Sequence, residues 1–156
     1  MNTNDIFHRI VNALSLSKSD ILEAYTLEGY NMDEEHLEDL LKDADKVSGE
    51  CSYEELGVLL DGLVTLKRGP SPKKPSEEEA VPLTNNLILK KLRIALELKE
   101  PETEIIFGLG DAALSKQELK SLFRSESHKN FKACPDGLLM AFLEGLDEFY
   151  YSGEEV

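Results

Sequence analysis

Tryptophan is absent, cysteine occurs twice in 156 residues, and aromatic side chains make up 7% of the chain. Cys51 and Cys134 are too few for a disulfide framework or a four-ligand zinc cluster, and they fit a reducing compartment. No apolar run reaches the roughly 18 to 20 residues that a membrane helix needs. The opening MNTNDIFHRI lacks the basic-then-apolar pattern of an export signal. The expected setting is therefore the cytoplasm, with no membrane partner. A phosphate-cradling loop is also missing, since Gly108 and Gly110 in FGLGDAAL follow no strand and lack a third glycine. Positive charge is scarce: 17 Lys plus Arg stand against 31 Asp plus Glu, a net of −14. Such a field repels nucleic-acid phosphates, so an anionic partner requires a local exception.

What the chain does contain is a copy of itself. An offset of 82 pairs Asn4 with Asn86, Ile6 with Ile88, Ala13 with Ala95, Leu37 with Leu119 and Leu40 with Leu122. One inserted residue, giving an offset of 83, then pairs Cys51 with Cys134, Leu56 with Leu139, Gly62 with Gly145 and Leu63 with Leu146. Self-similarity this long marks a tandem duplication. Residues 1–67 form the first repeat and 83–151 the second. Between them, 68–82 is a linker with four prolines and charges of both signs, and 152–156 is an acidic tail.

Each repeat reads as four short helices. The first spans about Asn4 to Leu16, with Ile6, Ile10, Ala13 and Leu14 on one stripe, matched by Ile88, Leu92, Ala95 and Leu96. A second starts near Ser19 or Pro101 and stops near Gly29 or Gly110, where glycine can take the left-handed cap. The third opens at Asp33, or at Ser115 with Glu118 as a capping box, and buries Leu37, Leu40 and Leu41 or Leu119, Leu122 and Phe123. The fourth opens at Ser52 with Glu55, another capping box, and carries Leu56, Leu59, Leu60, Leu63 and Val64, or Leu139, Phe142, Leu143 and Leu146. No segment has a period of two, so the fold class is all-α, with two homologous four-helix units in tandem and pseudo-symmetric.

Several stretches together, NTNDIFHRI, LTNNLILKKLRIALELK, LSKQELKSLFR, HKNFKAC and FLEGL, resemble a bacterial family of unknown function, the YehS-like proteins. That family shares the length and the duplicated domain, and the resemblance covers nearly everything outside the linker. It implies the fold and carries over no activity or catalytic residue. The family pattern has a glycine before the His-Lys pair, where this chain has Ser127, so a tight glycine turn is not implied there.

Charge separates the two repeats. Residues 1–69 hold 6 basic and 15 acidic side chains, whereas 83–156 hold 9 and 13. Lys116, Lys120 and Arg124 recur every four residues along one helix face, followed by His128, Lys129 and Lys132. Their counterparts on the first repeat's third helix are Glu34, Glu38 and Lys42. The bland account is a solvated face, or a surface that meets the acidic first repeat. The functional account makes these six residues the contact for a protein partner or an anion.

A helix-turn-helix reading for nucleic acid is confined to the second repeat, because the first would present Asp33, Glu34, Glu35, Glu38 and Asp39 to phosphates. Cys134 beside His128 suggests a nucleophile and base. No third orienting group accompanies them, and Cys51 repeats the position without a histidine, so both cysteines read as packing residues. His8, His36 and His128 lack ligand spacing, so no metal or cofactor is expected, and the chain reads as a non-enzyme. At the C-terminus Phe149, Tyr150 and Tyr151 either cover the other repeat's core or form a homodimer surface.

Overall fold

The computed structural model describes residues 2–69 and 83–150. The linker from residue 70 onward, Tyr151 and the acidic tail lie outside them. Among the described residues there are eight α-helices and no strands: α1 Thr3–Ala13, α2 Lys18–Leu27, α3 Glu34–Leu40, α4 Tyr53–Arg68, α5 Asn85–Leu96, α6 Glu100–Leu109, α7 Lys116–Leu122 and α8 Asp136–Tyr150. A 3₁₀ turn at Ala44–Lys46 precedes α4. The duplicated four-helix reading thus describes the chain, with α1 to α4 repeated as α5 to α8.

Local sequence sets the helix ends. Ser52 and Ser115 open α4 and α7 with reciprocal capping boxes to Glu55 and Glu118. Ser17 and Asp20 form a third at α2, with the cap two residues before the expected start near Ser19. Asp33 precedes α3 without a side-chain cap. Gly29 takes the left-handed conformation at φ 73°, but Gly110 does not; in the second repeat the position belongs to Asp111, at φ 67°. Gly110 is small for a different reason, because a Cβ there would overlap the carbonyl oxygen of Ala141 on α8. Ser127 has no positive φ, so nothing at that point demands a glycine.

The expected stripes face inward. Ile6, Ile10, Leu37, Leu40, Leu56, Leu59, Leu60 and Leu63 are buried, as are Ile88, Leu92, Leu119, Leu122, Leu139, Phe142, Leu143 and Leu146. Leu14, Leu41, Val64, Leu96 and Phe123 are only half-buried at its edge. All of these residues belong to one continuous core.

The two repeats build that core by exchanging partners. Within the repeats, α2 packs on α4 and α6 on α8; between them, α4 packs along α5 and α1 along α8. Each repeat's first helix therefore lies chiefly against the last helix of the other. Ion pairs repeat the exchange: Lys91 meets Asp61 at 2.5 Å, and the equivalent Arg9 meets Glu144 at 3.8 Å. Such exposed pairs contribute about 0–1 kcal/mol each, whereas each large apolar side chain fully buried contributes about 1.5–3 kcal/mol. Apolar contact holds the repeats together, and the ion pairs fix its register.

A duplicated clasp ties each first helix to the loop before the fourth. Asn4 donates to the Gly49 carbonyl at 3.0 Å and accepts the Cys51 N–H at 2.7 Å. Asn86 donates to the carbonyls of Leu122 and Lys132, both at 2.9 Å, and accepts the Cys134 N–H at 2.8 Å.

Candidate functional site

The helix that carries the basic stripe is only seven residues long. In isolation that is too short to be stable, so α7 owes its position to the Ser115 capping box and to Leu119 and Leu122 in the core. The same burial turns Lys116 and Lys120 to solvent. Phe123 ends the helix and leaves the core stripe half-buried, with the Arg93 guanidinium 4.6 Å over its ring. Arg93 is held there by a bond from its Nε to the Leu98 carbonyl at 3.1 Å.

Around this stacked pair lie three adjoining cavities, and Phe123 lines all of them. The first, of 430 Å³, is walled by Arg68, Lys90, Arg93, Ile94, Glu97, Leu98 and Lys99. The second, of 240 Å³, lies among Arg93, Glu100, Leu119, Lys120 and Arg124. The third, of 170 Å³, runs past Asn86, Leu87, Lys90, Arg124, Glu126 and Phe131. Shared walls make one branched groove, lined by more cations than carboxylates and by apolar side chains, with Glu97, Glu100 and Glu126 among its walls. Of the six residues the sequence proposed, Lys120 and Arg124 line it. Lys116, His128, Lys129 and Lys132 are exposed nearby and do not.

Arg68, Lys90, Arg93 and Lys99 were missed. Three of them could have been found by comparing the repeats, since Lys90, Arg93 and Lys99 replace His8, Val11 and Ser17. The fourth, Arg68, opens the segment whose composition reads as linker, yet it is the last residue of α4 and donates to the Ile94 carbonyl at 3.1 Å.

Among the described residues, Arg68 is the one groove cation that meets a carboxylate, and Lys67 is the one first-repeat cation that forms no ion pair. In the first repeat Arg9, Lys18, Lys42, Lys46 and Arg68 each meet a carboxylate. Among the described residues, Lys90, Arg93, Lys99, Lys116, Lys120, Arg124, Lys129 and Lys132 form no ion pair. The stripe does not neutralise the acidic α3, whose Glu34 and Glu38 are held by Lys18 of their own repeat. Arg124 Nε and Glu100 Oε2 are buried without hydrogen-bond partners, although both residues flank the second cavity. Beside Arg124, the Asn130 N–H donates to His128 Nδ1 at 2.9 Å, and His128 Nε2 lies 3.2 Å from Arg124 Nη1.

The other candidate chemistry has a structural explanation. Burial pushes the thiols of Cys51 and Cys134 up to about 12, far from the thiolate that nucleophilic attack needs. His36 and Tyr30 converge on the Glu55 carboxylate, both at 3.0 Å, and Tyr25 donates to the Glu55 carbonyl at 3.0 Å. Burial and the Glu55 hydrogen bond push the Tyr30 phenol up to about 12. This network is closed on itself, and the second repeat replaces it with Phe107, Ala112, Glu118 and Leu138. Among the described residues no group of three or more His, Cys, Asp or Glu could hold a metal ion. No helix of those residues is long and apolar enough to cross a membrane. Phe149 packs against the core, and the exposed Tyr150 meets its ring edge-on at 5.2 Å.

A family model described as a protein of unknown function, DUF1456, matches residues 3–69 and again 85–150. The chain belongs to the DUF1456 family. The two matched segments coincide with α1 to α4 and with α5 to α8, so the family unit is the repeat itself. Across 147 residues the chain is 31% identical to the uncharacterized protein YehS of Escherichia coli (strain K12), covering 94% of each. No solved structure matches the chain.

Proposed function

We propose that this DUF1456 protein is a non-enzymatic, cytoplasmic interaction module that meets a partner protein through the basic groove of its second repeat. One observation carries the reading: in a chain of net charge −14, cations without carboxylate partners gather around a half-buried aromatic ring. Desolvating or repelling charges are costly to maintain at one place, and a groove that leaves them unpaired is suited to a complementary partner. Charge reversal of Lys90, Lys120 and Arg124 together should remove the proteins that co-purify with the tagged chain from its own cell. Recovery of the same proteins in the same amounts from wild type and variant would end the proposal.

A second reading, nucleic-acid binding through the α6–α7 pair, draws on the exposure of Lys116, Lys120, Lys129 and Lys132. It requires retention on heparin that falls with salt at a log-log slope near −0.9 per phosphate contacted. Absence of retention at low salt removes it.

A further inference from the structure

We infer that the groove receives an acidic peptide segment with one large apolar side chain, which seats against Phe123 while flanking carboxylates meet Lys90, Lys120 and Arg124. The inference rests on the proposed interaction role and names the chemistry of the partner.

Three features favour this occupant. First, the cavity of 430 Å³ includes apolar Ile94, 41% exposed, with Leu98 and Phe123 in its lining, and its volume lies within the range of about 300–1,000 Å³ that holds compact organic groups. A purely ionic ligand would leave those apolar side chains uncovered. Second, the cations stand apart around the ring, on α5, on α7 and just beyond α7, so they match charges spaced along a backbone on both sides of a central anchor. Third, Glu97, Glu100 and Glu126 line the same cavities. A polyanion with a charge at every nucleotide meets repulsion from these carboxylates, whereas a peptide can place neutral or donor groups against them. The buried Glu100 Oε2 and Arg124 Nε, each without a partner, ask for one donor and one acceptor. A peptide main chain offers both along its length. Arg93 already covers one face of Phe123, which leaves the ring edge for an aliphatic or aromatic side chain and less room for stacked bases.

The test uses the full chain and three fluorescent probes: a peptide of alternating glutamates around a central leucine, the same peptide with serine at the centre, and single-stranded oligothymidylate. Anisotropy should show the leucine peptide binding at least about tenfold more tightly than the serine peptide, the minimum expected from burying one such side chain. Phe123→Ala should remove that preference, again by about tenfold. Lys90→Glu, at an exposed position with no ion pair to lose, should weaken both peptides, while Lys129→Glu should leave them unchanged. Circular dichroism of Phe123→Ala checks its fold, and Lys90→Glu keeps the test decisive if that variant unfolds. Equal affinity for the leucine and serine peptides overturns the inference, as does tighter binding of oligothymidylate. If neither peptide binds while the groove charge reversal still abolishes co-purification, the peptide chemistry is wrong and the interaction role stands. If co-purification is also insensitive, both fail.

Discussion

Replacing Gly145 by alanine should destabilise the protein, although alanine is the better helix former by about 1 kcal/mol. A Cβ on Gly145 would sit 2.8 Å from the carbonyl carbon of Ile106, and closer still to its oxygen, where ordinary contacts run at about 3.5–4.0 Å. The obstacle is helical backbone and cannot rotate aside, so α8 must move off α6 by about 1 Å, a gap that forfeits a quarter to a half of the dispersion well for each atom pair across it. Phe107 and Phe142, whose ring centroids are 5.0 Å apart across this crossing, would separate with it. Crowding of about 3 kcal/mol, the upper end for overpacked cores, less the 1 kcal/mol of propensity leaves about 2 kcal/mol. For a chain of this length that lowers Tm by about 4–8 °C. Gly108→Ala is the matched control in α6, because its Cβ meets nothing within 4 Å; it should raise stability by up to about 1 kcal/mol. Urea titration followed by circular dichroism at both positions decides the matter. If Gly145→Ala proves neutral or stabilising, the close approach of α6 and α8 is wrong.

Two further outcomes are expected. Asn86→Ala and Asn4→Ala should each cost about 1–3 kcal/mol in urea titration, with Asn86 costing more because it makes three bonds to Asn4's two, and the double variant should be additive to within about 0.5 kcal/mol. The N–H groups of Ser48 and Gly49 hold the Asp39 carboxyl down to about 2, from an ordinary value of 3.8. Its contribution is therefore fully present above the ordinary value and disappears as pH falls toward about 2. Thermal melts of Asp39→Asn should accordingly lose less stability than wild type across that interval, and superimposable pH profiles would count against the hydrogen bonds.

The helices were legible because their apolar stripes and capping boxes are local. Ser115 with Glu118 announces α7, and Leu119 with Leu122 fixes its inward face, without reference to any other element. Periodicity says that Ile6 and Ile10 are buried but not against what, so the packing of α1 on the distant α8 was not legible. At the end of α6 the sequence offered Gly110 for the left-handed turn, and the chain put Asp111 there because Gly110 is needed where α8 crosses. The groove was half legible for a related reason. Lys120 and Arg124 belong to a stripe on one helix, whereas Lys90 and Arg93 reach Phe123 from α5, and Arg68 from a segment whose composition resembles the linker that follows it. Lys129 and Lys132 share the charge of the site and, like His128, sit on the loop beyond it.

The exchanged helices have a consequence for how the molecule can come apart. A single repeat keeps its α2–α4 or α6–α8 pair but exposes the faces that the other repeat's first and last helices cover. Two copies of one repeat would have to associate before either was complete, at a rate and extent set by their concentration. Joining them in one chain replaces that second-order event with a first-order one. In thermodynamic terms the protein is a dimer that cannot be diluted apart, which lets one of its two equivalent faces change its charge without any loss of assembly.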